Sequence, residues 1–173
     1  MRDTPLHQFY NMLIIEQDYF ECHEIMEDAW KMKDNFTKFD KEVFLVLVAT
    51  AEYHYRRGNT VGAKRSYIRA LNLYQAHSFN LNSIGLKESF IDLIKQRIDD
   101  IDVIPFKPLL YPITDTVFNA LFEASDFDSS AKFDKYLKSI HVTDIKTVDR
   151  HRLRDRSDVI EERLQALNRK KRD

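Results

Sequence analysis

Turn punctuation is scarce in this chain. Three glycines and four prolines serve 173 residues, and three of the prolines fall between Pro105 and Pro112. An all-β domain needs a turn roughly every 8–12 residues, and those turns draw on glycine, proline and asparagine. Long helices with short connections are what such a chain can build instead. The 43% hydrophobic content is enough for a packed core and argues against disorder over most of the length.

Charge excludes some functions. The 27 basic and 28 acidic residues leave a net charge of −1, so the whole molecule has no general affinity for nucleic acid or an anionic membrane. One cysteine, Cys22, permits no internal disulfide and fits a reducing cytoplasm. The opening Met1-Arg2-Asp3-Thr4-Pro5 has no apolar leader, and no run approaches the length of a membrane span. The expectation is a cytoplasmic protein with no membrane contact.

Local signals place the helices. Thr4-Pro5 reads as a hydroxyl cap followed by proline in the first turn, opening a helix to about Glu16. Asp18 with Glu21 three residues later resembles a capping box and starts a second helix, Tyr19 to about Met32. Lys33 to Asp40 is a polar loop. Residues Lys41 to Arg57 are apolar nearly all round and stop at Gly58-Asn59. Val43, Phe44, Val46 and Val48 would suit a strand, but the segment's length and the spacing Val43, Leu47, Ala51, His54 favour a central helix. A fourth helix follows from Thr60 to about Ala76, where Gly62 and Ala63 allow close backbone approach. A fifth lies near Leu86 to Ile101. Short connections make neighbours antiparallel, so an all-α, up-and-down helical bundle is expected.

The character changes at Asp102, and the division expected is 1–102 for the bundle and 103–173 for a C-terminal extension. Three prolines within Val103 to Ile113 forbid a regular helix, yet the stretch is apolar. It reads as a strap across its own bundle, with a partner surface as the alternative. Thr114-Asp115 caps a short helix through about Phe122. Beyond Ser125 to Ser130 the pattern is less regular. Ile160, Leu164 and Leu167 then recur at helical spacing, so Ser157 to Asn168 forms an amphipathic arm with a basic end. Ten basic and seven acidic residues from Asp144 onward give this tail +3. The interspersed acids weaken its field, and nucleic acid is not the expected partner. A second copy or another protein, docking on the strap at 103–113 or on the terminal helix, fits better.

The chemistry centres on Phe20 to Trp30. At 100° per residue, His23, Glu27 and Trp30 share a narrow arc, bordered by Tyr19, Phe20 and Met26. Ionisable groups in an aromatic stripe cost free energy unless paired or bound to metal. His23-Glu24-Ile25-Met26-Glu27 is one residue from the His-Glu-x-x-His zinc motif, with Glu27 in place of the second histidine. A carboxylate also ligates zinc, so the site reads as one for a divalent metal, zinc first among them. His54, on the apolar stripe of the central helix, is the third ligand expected. Glu24 is the candidate general base or outer-sphere group, and Asn59 could add an oxygen. Trp30 and Glu21 border the pocket. A bound metal would suit hydrolysis. The other reading is a non-catalytic interaction or scaffold protein in which His23, Glu27 and His54 form a purely structural cluster. The residues alone do not decide whether the protein is an enzyme.

Two spaced motifs carry a resemblance. Tyr19 to Trp30, with its His-x-x-x-Glu-x-x-Trp element at His23, Glu27 and Trp30, is followed by Ala51 to Asn59 and then Gly62-Ala63. Together they resemble the domain-of-unknown-function 309 family of small bacterial and archaeal proteins, over residues 5 to 100. The resemblance implies an all-helical fold and a metal site at His23 and Glu27. It implies no substrate.

Overall fold

The structure is a computed structural model that describes residues 4–149 and 157–170. The expected basic end beyond Lys170 and His151 lie outside the described residues. Those residues build an all-α protein. Helix α1 spans Pro5–Tyr10, α2 Tyr19–Lys31, α3 Lys41–Arg56, α4 Thr60–His77, α5 Phe90–Asp100, α6 Asp115–Ala124, α7 Ser130–Leu137, α8 Ile145–Val148 and α9 Ser157–Lys170. A 3₁₀ turn at Leu81–Ile84 lies between α4 and α5.

The caps follow the local chemistry. Thr4 Oγ1 accepts from the His7 amide at 3.2 Å, and Asp18 Oδ1 accepts from the Glu21 amide at 3.0 Å. Thr114 likewise accepts from Val117 at 3.4 Å. The first helix does not stay regular to Glu16. Asn11–Glu16 is a π-helical segment that ends at Gln17, a residue with φ 50°. A left-handed glutamine costs backbone energy. Its buried side chain offsets that: Nε2 donates to the Ile140 carbonyl at 3.1 Å, and Oε1 accepts from the Val142 amide at 2.8 Å. The joint between α1 and α2 thereby also holds a segment more than 120 residues away.

Helix α3 is the centre. It buries Phe44, Leu45, Leu47, Val48, Ala49, Ala51, Tyr53 and Tyr55, and packs against α2 on one side and α4 on the other. Gly58, at φ 76°, reverses the chain into α4. Gly62 has a different purpose from the helix contact expected: a Cβ there would come within 2.5 Å of the Asn59 side chain. Asn59 needs that space because its Oδ1 caps α4 through the Gly62 amide at 3.0 Å.

The strap is docked on its own bundle. Phe106 packs edge-on against Tyr19 at 6.1 Å and Tyr55 at 5.4 Å between ring centroids. The Ile104 carbonyl accepts from the Tyr55 hydroxyl, the Lys107 carbonyl from Arg97 Nη2 at 2.8 Å, and the Pro112 carbonyl from the Lys87 amide at 2.8 Å. Beyond it, α6 and α7 close over a cluster in which Phe133 meets Phe118, Phe122 and Phe127 at 5.5–5.7 Å. Helix α7 falls where the sequence looked irregular. Val117, Leu121 and Phe133 belong to the same core as Phe9 and Tyr10, so buried contacts run across residue 102.

Candidate metal centre

The spacing i, i+4 on α2 brings His23 and Glu27 together, with His23 Nε2 lying 3.3 Å from Glu27 Oε2. The other ring nitrogen, Nδ1, lies 3.1 Å from Glu24 Oε1. One turn of helix thus sets a single imidazole between two carboxylates. Donor atoms of His23, Glu24 and Glu27 lie within 4.8 Å of one another, the one such group of three among the described residues. All three side chains are about one-third exposed, so water reaches the site. Phe20 stacks on the His23 ring at 6.5 Å. Lys31, one turn further, places its ammonium 2.5 Å from Glu27 Oε1.

His54 does not join this group. Its Nδ1 lies 3.2 Å from Asn59 Nδ2, and its ring packs edge-on to Tyr53. The expected third ligand therefore stands at the α3–α4 turn, and Asn59 spends its oxygen on the helix cap instead of an ion. Trp30 also faces elsewhere: Nε1 donates to the Thr37 carbonyl at 2.8 Å, and the ring packs on Phe36 at 5.1 Å. It pins the polar loop after α2. Glu21 contributes its amide to the Asp18 cap and is outside the group of three. Cys22, on the buried side of the same helix, donates to the Phe9 carbonyl, and burial pushes its thiol well above the usual range.

A buried charge cluster lies elsewhere in the bundle. Glu52, in the middle of apolar α3, has no exposed surface. Arg97 from α5 meets it with two hydrogen bonds, and Tyr67 from α4 donates to Oε1. Tyr55 and Phe106 lie against the guanidinium at 4.8 and 5.3 Å. Burial pulls the Arg97 charge down, but Glu52 and Tyr67 more than offset this and raise its pKa. Burial first, then Glu52, pushes the Tyr67 phenol well up. The cluster is self-neutralising and ties α3, α4, α5 and the strap together. Its one signal in the sequence is a carboxylate within an otherwise apolar helix.

The fold and the site define an all-helical protein with a His/Glu group on one open turn. Comparison with known proteins names its kin: the family described as "Domain of unknown function (DUF309)" matches residues 6–66. A Bacillus subtilis (strain 168) protein described as "Uncharacterized protein YpuF" is 34% identical over 157 residues, covering 90% of this chain and 88% of the relative. The chain belongs to the DUF309 family. No solved structure matches it. The family match takes in α1 to α3 and the start of α4, including the His23 turn and Glu52, but stops before Arg97.

Proposed function

We propose that this protein binds a divalent cation, zinc by preference, through His23 Nε2 and Glu27, with water completing the coordination. The observation that supports this is the division of labour around one imidazole. Nε2 faces a carboxylate of the next turn, while Nδ1 faces Glu24. A metal-bound histidine commonly donates its second N–H to a carboxylate, which fixes tautomer and ring orientation. In that arrangement Glu24 orients the ring. The donor set, imidazole nitrogen with carboxylate oxygen, suits zinc. Two protein ligands leave the rest of the ion open, and the chemistry it would supply is polarisation of a bound water or substrate oxygen for hydrolysis. The chain's own residues hold the ring, with Phe20 stacked on it and about one-third of the side chain exposed.

A second reading has its own support. The Lys31 ammonium already neutralises Glu27, so the His23–Glu27–Lys31 row is also a self-satisfied polar stripe of an interaction protein. Elemental analysis of protein purified without an affinity metal, followed by calorimetric zinc titration, separates the two. Binding abolished in Glu27→Gln, with helicity unchanged, upholds the cation site. No heat of binding in the wild type leaves the interaction reading.

A further inference from the structure

Helix α4 is the longest in the bundle and has no acidic residue over its 18 positions, where even spacing of the chain's 28 acids would place about three. Its outer face carries Val61, Lys64, Arg65, Ile68 and Arg69. These residues line a shallow groove of about 420 Å³ with Asp102 at its edge. Lys64 is held by that aspartate at 2.8 Å, and among the described residues no carboxylate pairs with Arg65 or Arg69, the other two charges of the groove. Like charges at i, i+4 destabilise a helix, and packing gives no reason for the pair because both arginines are exposed. Beside them the apolar side chains face water: Val61 is 69% and Ile68 40% exposed. Val103, next to Asp102 in the chain, is 80% exposed.

We infer that this face of α4 is a docking site for an acidic amphipathic helix of a partner protein. The inference rests on the interaction reading and not on the cation site, which lies on α2. Val61 and Ile68 are seven residues apart, about 10.5 Å along the axis, so they receive apolar anchors two turns apart on a facing helix. Arg65 and Arg69 then meet carboxylates beside those anchors, and the repulsion between them is relieved. Phosphate backbones would gain nothing from the valine and isoleucine, and among the described residues no aromatic ring lines the groove for base stacking. Two apolar side chains are too few to enter a lipid interface.

The test titrates the full chain with a fluorescent synthetic helix bearing leucines two turns apart flanked by glutamates. Controls are its scrambled sequence, a duplex DNA and phosphatidylserine vesicles. The expected result is saturable binding of the designed helix, weakened by salt and reduced at least about tenfold in Arg65→Glu/Arg69→Glu, with circular dichroism unchanged. An Ile68→Asp variant should lose binding as well. Equal binding of scrambled and designed peptides, preference for DNA or vesicles, or indifference to the double charge reversal overturns the inference. A Leu164→Glu variant on α9 keeps the two failures apart. If that variant alone loses the peptide, the protein still docks partners, but not on α4.

Discussion

Arg97 grips Glu52 with both ends of its fork: Nε lies 3.0 Å from Oε1 and Nη2 2.8 Å from Oε2. The paired geometry orients both planes, and Tyr67 and the Lys107 carbonyl take up further hydrogen-bonding capacity. A buried pair of this kind contributes little net stability over apolar residues of equal size, yet removing one partner strands the other.

Arg97→Met should therefore cost about 3–5 kcal/mol in urea unfolding. The double variant Arg97→Met/Glu52→Leu should recover much of that loss. Equal losses in the single and double variants would contradict a coupled pair.

His54 and Asn59 should matter to folding alone. Asn59→Ala removes the α4 cap and should cost about 1 kcal/mol. His54→Ala should leave calorimetric zinc binding unchanged, whereas His23→Ala should abolish it. Loss of zinc in His54→Ala would return His54 to the site.

Alkaline pH should unfold the protein steeply. Burial raises the phenols of Tyr10, Tyr19 and Tyr67 above the ordinary value of 10.0. Below pH 10 both states keep these protons, so stability is fully present. Above it the unfolded chain releases them and the native state does not, so stability falls by up to about 1.4 kcal/mol per pH unit for each phenol. Denaturant midpoints measured from neutral to alkaline pH check this. A flat profile past the normal tyrosine range would refute it.

The strap should resist protease while the bundle is folded. Phe106→Ala removes ring contacts with Tyr19 and Tyr55. It should cost about 2 kcal/mol, less than a fully buried phenylalanine, and expose Val103 to Ile113 to limited proteolysis. Rapid cleavage there in the wild type would mean that the strap is not seated.

Features set by neighbouring residues were legible in the sequence. Asp18 and Thr114 announce their helices because a cap involves three or four consecutive residues, and Gly58 marks its turn for the same reason. His23 with Glu27 follows from helical spacing alone. Helix α7 was hidden because Phe133 is secured by rings from three separate segments. The Glu52 carboxylate was visible but its counter-charge was not, since the two lie 45 positions apart. His54 misled because its helical stripe points inward on average, while at the last turn a neighbouring asparagine engages the ring.

That separation has a consequence for how the chain is made. Synthesis delivers α3 with its carboxylate well before Arg97 leaves the ribosome. At roughly 5–20 residues per second, the nascent bundle must wait about 2–9 s for those 45 residues. Through that interval Glu52 lacks its guanidinium partner, and an unpaired buried carboxylate opposes the final seating of α3 between its neighbours. In this chain the matched segment, residues 6–66, therefore leaves the surroundings of Glu52 unfinished until α5 and the strap have emerged.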